Sequence, residues 1–276
     1  MRRLLLLHGI PLSPQVWDGV RAALTVPTVA PDLTEMIEAI AMSRLREEQK
    51  AAMSRLREEQ KAAMSRLREE QKAAMSRLRE EQTAPCCLQT ELAAGVLAAL
   101  PDDEDEMVVV GHSFGGQVAI ELALLAPERV TRLVLVSSRH TPFPAFADGA
   151  RAVRASLPVD IGAGLRRWFT VRELATGGPA VEYARRQLRT APRAPWAAAL
   201  DAVATYDRTS AVGRIAVPAS LFAGGLDEVA TPAVMEQLAA ALPHADLDIV
   251  PAWAHMSLFA DPAAFAARLM ALKTSR

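Results

Sequence analysis

The chain has only two cysteines, and they are neighbours, Cys86 and Cys87. An adjacent pair cannot staple distant segments, so no disulfide framework holds this protein together. The reading is two free thiols in a reducing compartment, with a strained vicinal disulfide or a redox role as the lesser alternative. Net charge is also nearly absent, at −1 over 276 residues. That balance supplies no field to attract nucleic acid or an anionic membrane. Long apolar runs are missing: none approaches the ~18–20 residues that span a bilayer. The opening MRRLLLLHG has four leucines before His8, too short for the apolar core of a signal peptide, and no small-residue cleavage site follows. The expectation is a soluble, cytoplasmic chain with neither a nucleic-acid nor a membrane partner.

Lysine is scarce as well. Of 31 basic residues only Lys50, Lys61, Lys72 and Lys273 are lysine, and three of these fall within residues 42–85. That stretch is a tandem repeat. MSRLREEQKAA occupies 42–52, 53–63 and 64–74, and MSRLREEQTAP occupies 75–85. Identity this strict points to duplication at the gene level, recent or engineered. The three identical units are made of strong helix formers without Gly or Pro, and the fourth degrades at its end to Pro85. Pairs such as Arg44–Glu48 and Arg55–Glu59 add ~0.2–0.5 kcal/mol each. Met42, Leu45, Ala52, Met53 and Leu56 fall on one stripe, which an 11-residue period keeps nearly straight. The element reads as a tolerated surface insertion, or as a helix that pairs through this stripe.

What is plentiful is Ala, Leu and Val, within a hydrophobic fraction of 51%. Outside the repeat, strand-like and helix-like segments alternate. Strands are predicted at 3–8, 26–31, 107–110, 130–137, 215–223 and 246–250, and helices at 87–100, from the GHSFGG segment to Ala126, at 232–242 and at 261–273. Such alternation argues for an α/β protein with a mostly parallel sheet covered on both faces. Between Arg139 and Arg214 helical stretches near 149–156, 160–175, 179–190 and 195–206 run without a strand, which reads as a cap over one end of the sheet. The predicted organisation is a core of 1–34, 86–139 and 214–276, a repeat insertion of 35–85 and a helical cap of 140–213.

The chemistry centres on GHSFG at 111–115, a match to G-x-S-x-G. A valine-rich strand precedes it and a helix follows, the context a nucleophile elbow needs. Ser113 requires a base, because a free hydroxyl is a poor nucleophile at neutral pH. His255, between the last strand and the last helix, is the choice. His8 is expected to shape a loop, His112 to point away from the serine and His244 to sit on an exposed turn, while His140, at the cap entrance, is a lesser candidate for substrate contact. Asp227, after a Gly-Gly turn at the end of a strand, is the orienting carboxylate; Glu228 should face the other way, and Asp201 and Asp207 belong to the cap. The oxyanion of acyl transfer needs two N–H donors. Phe114, immediately after the nucleophile, and Ile10, in the loop HGIP, are the candidates.

Together LLLLHGIP (4–11), VAPDL (29–33), GHSFGG (111–116), LVLVSS (133–138), IAVPASLFAGGLDEVATP (215–232) and AWAHMSLFADP (252–262) resemble the α/β-hydrolase superfamily. The resemblance spans nearly the whole chain except the repeat and part of the cap. It implies an α/β-hydrolase fold carrying a Ser113–His255–Asp227 triad. The style is that of the compact capped esterase and lactonase branch: LRRWFT and the later Tyr206-Asp207 exit look like 3-oxoadipate enol-lactonases. The short start looks like pimeloyl-carrier-protein methyl ester esterases and the menaquinone-pathway lyases of this fold. Two departures stand out: the first strands of larger members are missing, and the loop after PDL runs directly into the repeat.

The expected activity is that of a carboxylesterase-type serine hydrolase acting on a small carboxylic ester, with neither metal nor cofactor. Lactonase, thioesterase, C–C hydrolase or lyase chemistry with the same triad is the alternative, and a non-catalytic scaffold using the long helix is a further one. Ile10, Phe114, Phe143, Phe146, Trp168, Phe169 and Met256 are candidates to line an apolar pocket, and Arg166 and Arg167 to clamp a carboxylate. A helix over 36–82 would be about 70 Å long, yet residues 32 and 86 should be neighbours. Either the helix folds back as a hairpin in a monomer, or residues 1–33 complete a partner's sheet in a swapped homodimer.

Overall fold

A computed structural model describes residues 3–65, 87–100 and 106–272. Its centre is a six-stranded sheet of β1 (Arg3–Leu7), β2 (Thr28–Val29), β3 (Met107–His112), β4 (Val130–Val136), β5 (Ala219–Gly224) and β6 (Ala245–Val250). The strands lie in the order β2-β1-β3-β4-β5-β6, and every neighbouring pair is parallel. The helices are α1 (Asp18–Ala22), α2 (Leu33–Ser65), α3 (Leu88–Ala99), α4 (Phe114–Leu125), α5 (Phe146–Arg154), α6 (Ile161–Trp168), α7 (Val171–Thr176), α8 (Pro179–Thr190), α9 (Arg193–Thr205), α10 (Pro232–Ala241), α11 (Ser257–Ala260) and α12 (Pro262–Ala271).

Successive strand residues point to opposite faces, and both faces are apolar here. Leu5, Leu7, Val109, Leu133, Leu135 and Leu221 pack with α2, α3, α4 and α10 on one side. Leu6, Val110, Val134, Val136 and Phe222 pack on the other side with Trp17, Phe259 and Phe265, and with cap residues such as Leu165 and Leu188. Trp17 is fully buried and meets the ring of Phe259 edge-on at 4.9 Å. It belongs to a 3₁₀ turn (Pro14–Trp17) that leads into α1, in a region, residues 12–25, where the sequence pattern assigns no element.

The other differences have local causes. The fifth strand starts at Ala219 and not at residue 215, because Pro218 has no N–H to give the ladder. The second strand is cut to two residues between Pro27 and Pro31. The stretch 160–175 is two helices: Thr170 and Glu173 form a capping box that starts α7 afresh. Asp261 likewise caps α12 through the Ala264 N–H and separates it from α11. The cap is built of α5 to α9; α5 lies along α9, and α9 also touches α2.

The repeat is helical as far as it is described, within α2, whose 33 residues run unbroken from Leu33 to Ser65. The first turns of α2 are part of the core, with Leu33 and Ile37 fully buried. Further along, Met42, Leu45 and Met53 are about half exposed, at 52%, 47% and 56%. The fold-back or swap expected of the repeat, and Cys86, lie outside the described residues. Within the single chain β1 pairs with β3. Among the described residues no helix is long and apolar enough to cross a membrane.

This contrast along one helix sets a stability test. Ile37→Ala should cost about 2–5 kcal/mol in urea unfolding. Met42→Ala and Met53→Ala should each change it by less than about 0.5 kcal/mol. A loss at Met42 or Met53 matching that at Ile37 would show the stripe to be covered in solution.

Candidate active site

β3 ends at His112 and α4 begins at Phe114, leaving Ser113 alone to turn the chain. Ser113 adopts φ 54° and ψ −119°, a region costly for a residue with a side chain. The turn is held by the Ser113 N–H donating to the Val136 carbonyl at 3.0 Å and the Ser138 hydroxyl donating to the Ser113 carbonyl at 2.7 Å. The flanking glycines are needed for close packing. A Cβ on Gly111 would lie 2.4 Å from the Gly115 carbonyl oxygen, and one on Gly115 would lie 2.5 Å from that of Leu7.

The structure brings Ser113, His255 and Asp227 into one hydrogen-bonded chain. His255 Nε2 lies 3.1 Å from Ser113 Oγ, and His255 Nδ1 lies 2.9 Å from Asp227 Oδ2. Asp227 and His255 are both buried. The other carboxylate oxygen, Asp227 Oδ1, accepts from the Val229 and Ala230 N–H groups at 2.7 and 2.9 Å. Burial pushes the Asp227 carboxyl up, but the facing His255, the Ala230 N–H and the Ser137 hydroxyl outweigh it and hold the group below the usual carboxylate range. Glu228 is exposed.

Ile10 and Phe114 line the same cavity as Ser113 and His255. Phe114 is the first residue of α4, so its N–H has no partner within the helix. The loop carrying Ile10 is fastened to the start of α2. Buried His8 accepts the Leu33 N–H on Nε2 at 2.9 Å, and the Thr34 hydroxyl donates to the Leu12 carbonyl at 3.2 Å. His8 therefore shapes the loop, as its position at a strand end implies.

The cavity holds about 270 Å³. Its walls come from the cap, through Phe146 and Val153 of α5, Trp168 of α6, and Trp196, Leu200 and Val203 of α9, with Val229 from the segment after Asp227. Among the lining residues Asp160 is the one carboxylate beyond the hydrogen-bonded chain, and it is exposed at the rim beside Leu157 and Pro158. Among the described residues no Arg or Lys lines the cavity. A second space of about 20 Å³ also touches Ser113, between Ser137, Ser138, Phe143 and Phe146.

Several expected contacts are corrected. Phe169 and Met256 are buried core residues, 2% and 1% exposed, packed in the cluster around Trp17, and neither lines the cavity. Their segments are tied together by the Met256 N–H donating to the Trp168 carbonyl at 2.8 Å, which leaves Trp168 as the wall. Phe143 borders only the smaller space, with its ring 4.6 Å from Phe146 and under the Arg139 guanidinium. Arg166 and Arg167 are exposed and neither is among the lining residues, although the Arg166 guanidinium comes near Asp160 at the rim: a Cβ on Gly162 would lie 3.1 Å from Arg166 Nη1 and 3.3 Å from Asp160 Oδ1. His140 is buried and does not line it, and its carbonyl accepts from the Arg208 N–H. The sequence reading misses the wall of α9, although Trp196, Leu200 and Val203 carry the spacing of one helix face.

His112 points away from Ser113 and towards the backbone of His255, where Nε2 donates to the carbonyl at 2.9 Å. Complete burial holds its pKa down at about 3, assisted by the nearby His255.

Comparison with known proteins is consistent along the chain. The family model described as the alpha/beta hydrolase family matches residues 4–268. A pimeloyl-[acyl-carrier protein] methyl ester esterase from Citrobacter koseri is 31% identical over 200 residues, 66% of this chain and 75% of that protein. A 2-hydroxymuconate semialdehyde hydrolase from Pseudomonas sp. is 48% identical over 61 residues, 22% of this chain and 20% of that one. Among solved structures, a thermophilic esterase from Thermogutta terrifontis superposes with a TM-score of 0.70 at 20% identity, covering 98% of this chain and 88% of its own. An enol-lactonase from Burkholderia xenovorans gives 0.67 at 20% identity, covering 98% and 90%.

The buried His112 sets a pH test of stability. Its folded pKa lies below the ordinary 6.5, so between about 3 and 6.5 the unfolded chain binds a proton that the folded chain refuses. Stability should fall as pH drops through that window, by up to about 1.4 kcal/mol per unit. His112→Gln should flatten the fall in chemical denaturation measured from pH 7 to 4.5. An unchanged slope would mean that His112 titrates normally.

Proposed function

The chain belongs to the alpha/beta hydrolase family, and from that premise we propose that it hydrolyses a small, uncharged carboxylic ester through an acyl-enzyme on Ser113. The observation that carries this reading is the Asp227–His255–Ser113 chain, at 2.9 and 3.1 Å, opening onto an apolar cavity. Ser113 Oγ attacks the ester carbonyl as His255 Nε2 takes its proton. Asp227 keeps the remaining proton on Nδ1 and stabilises the imidazolium. The N–H groups of Ile10 and Phe114 receive the oxyanion. The intermediate collapses, His255 protonates the departing alcohol, and a water activated by the same imidazole releases the acid from Ser113.

The substrate class follows from the walls. The larger space suits an apolar acyl chain, because its described wall is mostly apolar and its one lining carboxylate, Asp160, lies at the rim, which disfavours an anionic tail within the cavity. The smaller space beside Ser113 is methyl-sized, which favours a methyl ester. The similarity to a methyl ester esterase supports the same choice.

Ser113→Ala should lower kcat by at least about 10³-fold, and Asp227→Asn should cost about 10⁴-fold by releasing the wrong imidazole tautomer. In a panel of equal acyl length, neutral methyl esters should have a higher kcat/KM than butyl esters or esters with a terminal carboxylate. Full turnover by Ser113→Ala would overturn the mechanism, and a preference for the carboxylate-tailed ester would overturn the substrate class.

A further inference from the structure

His112 precedes the nucleophile and reaches two other parts of the site. Its Nε2 lies 2.9 Å from the His255 carbonyl oxygen, and a carbonyl only accepts, so the proton sits on Nε2. The amide that follows that carbonyl is held from its other side, where the Met256 N–H donates to the Trp168 carbonyl at 2.8 Å. The one peptide plane joining His255 to Met256 is thus fixed both by the elbow and by the cap. The His112 ring also lies against the His255 ring, with centroids 4.8 Å apart, and meets Phe259 edge-on at 5.1 Å. On its far side His112 abuts the oxyanion loop: a Cβ placed on Gly9 would come within 3.0 Å of Nδ1 and 3.1 Å of the Ser113 Cβ. Nδ1 itself has no hydrogen-bond partner.

We propose that His112 is a positioning residue, which sets the His255 imidazole against Ser113 by holding the His255 carbonyl and spacing the oxyanion loop from it. It touches no reacting atom. The low proton affinity of the buried ring fits this role, because a neutral His112 still donates from Nε2 and adds no positive charge beside the imidazolium that forms on His255. The inference rests on the reading of Ser113 and His255 as nucleophile and base.

The test compares H112F, which keeps an aromatic ring but has no donor, with H112Q, whose amide can still reach the carbonyl. The readouts are the second-order labelling rate with a fluorophosphonate probe, kcat and KM on a neutral methyl ester, and the melting temperature. A small displacement of a reacting group can cost about 10²-fold. H112F should therefore lose about 10- to 100-fold in labelling rate and kcat, with KM within about twofold. H112Q should recover at least a third of the wild-type rate, although neither variant titrates. If H112F does not fold, H112N takes its place, its amide being too short to reach the carbonyl. Wild-type labelling by H112F, or an H112Q as impaired as H112F, would overturn the proposal. S113A serves as the separate control: if it labels as the wild type does, the reading of Ser113 has failed and not the role of His112.

Discussion

The site depends on one strained turn. Ser113 holds φ 54° because a parallel strand and a helix leave it no other way to connect them. That connection is possible only where Gly111 and Gly115 carry no side chain, since each packs against backbone at distances a Cβ would violate. The strain is balanced by surroundings that over-determine the turn: the Val136 carbonyl, the Ser138 hydroxyl and the buried strands on either side. From this point the other parts take their places. Phe114, the first residue of α4, lines the cavity, His255 arrives from beyond β6, and Asp227 arrives from the end of β5.

Order in the chain and order in the sheet explain why so much was legible. Runs such as LLLL and VVV have to be buried on both faces, which names parallel strands directly. The GHSFG segment between a strand and a helix names Ser113 as the candidate nucleophile, and the same connectivity picks out His255 and Asp227, which the fold brings into hydrogen-bond reach of it. The cavity lining was less legible, because an aromatic residue near a site is read the same way whether it points in or out. Phe169 and Trp168 are neighbours in sequence, yet α6 ends between them. Trp168 faces the cavity, while Phe169 turns into the core. Met256 is drawn inward by the same loop that carries His255. Strand edges were misjudged where proline intervenes, at Pro218 and around Thr28–Val29.

The repeat shows how an added element meets a fixed core. The scarcity of lysine marks the vocabulary change at residue 42, but the helix begins at Leu33, nine positions earlier. Its first turns carry Leu33 and Ile37 into the core and supply the N–H that His8 accepts. The same helix then leaves the domain with its Met and Leu stripe half exposed. The loop that carries Ile10 and the described part of the repeat are thus joined through one helix, whose buried first turns precede its exposed length.

The central claim is that Ser113 becomes acylated. Rapid acid quench of the protein during turnover of a p-nitrophenyl acyl ester, followed by peptide mass analysis, tests it most directly. The peptide that contains Ser113 should gain a mass equal to the acyl group, formed in step with a burst of p-nitrophenol. Turnover without any adduct on that peptide, or an adduct on another residue that turns over at the steady-state rate, would contradict it.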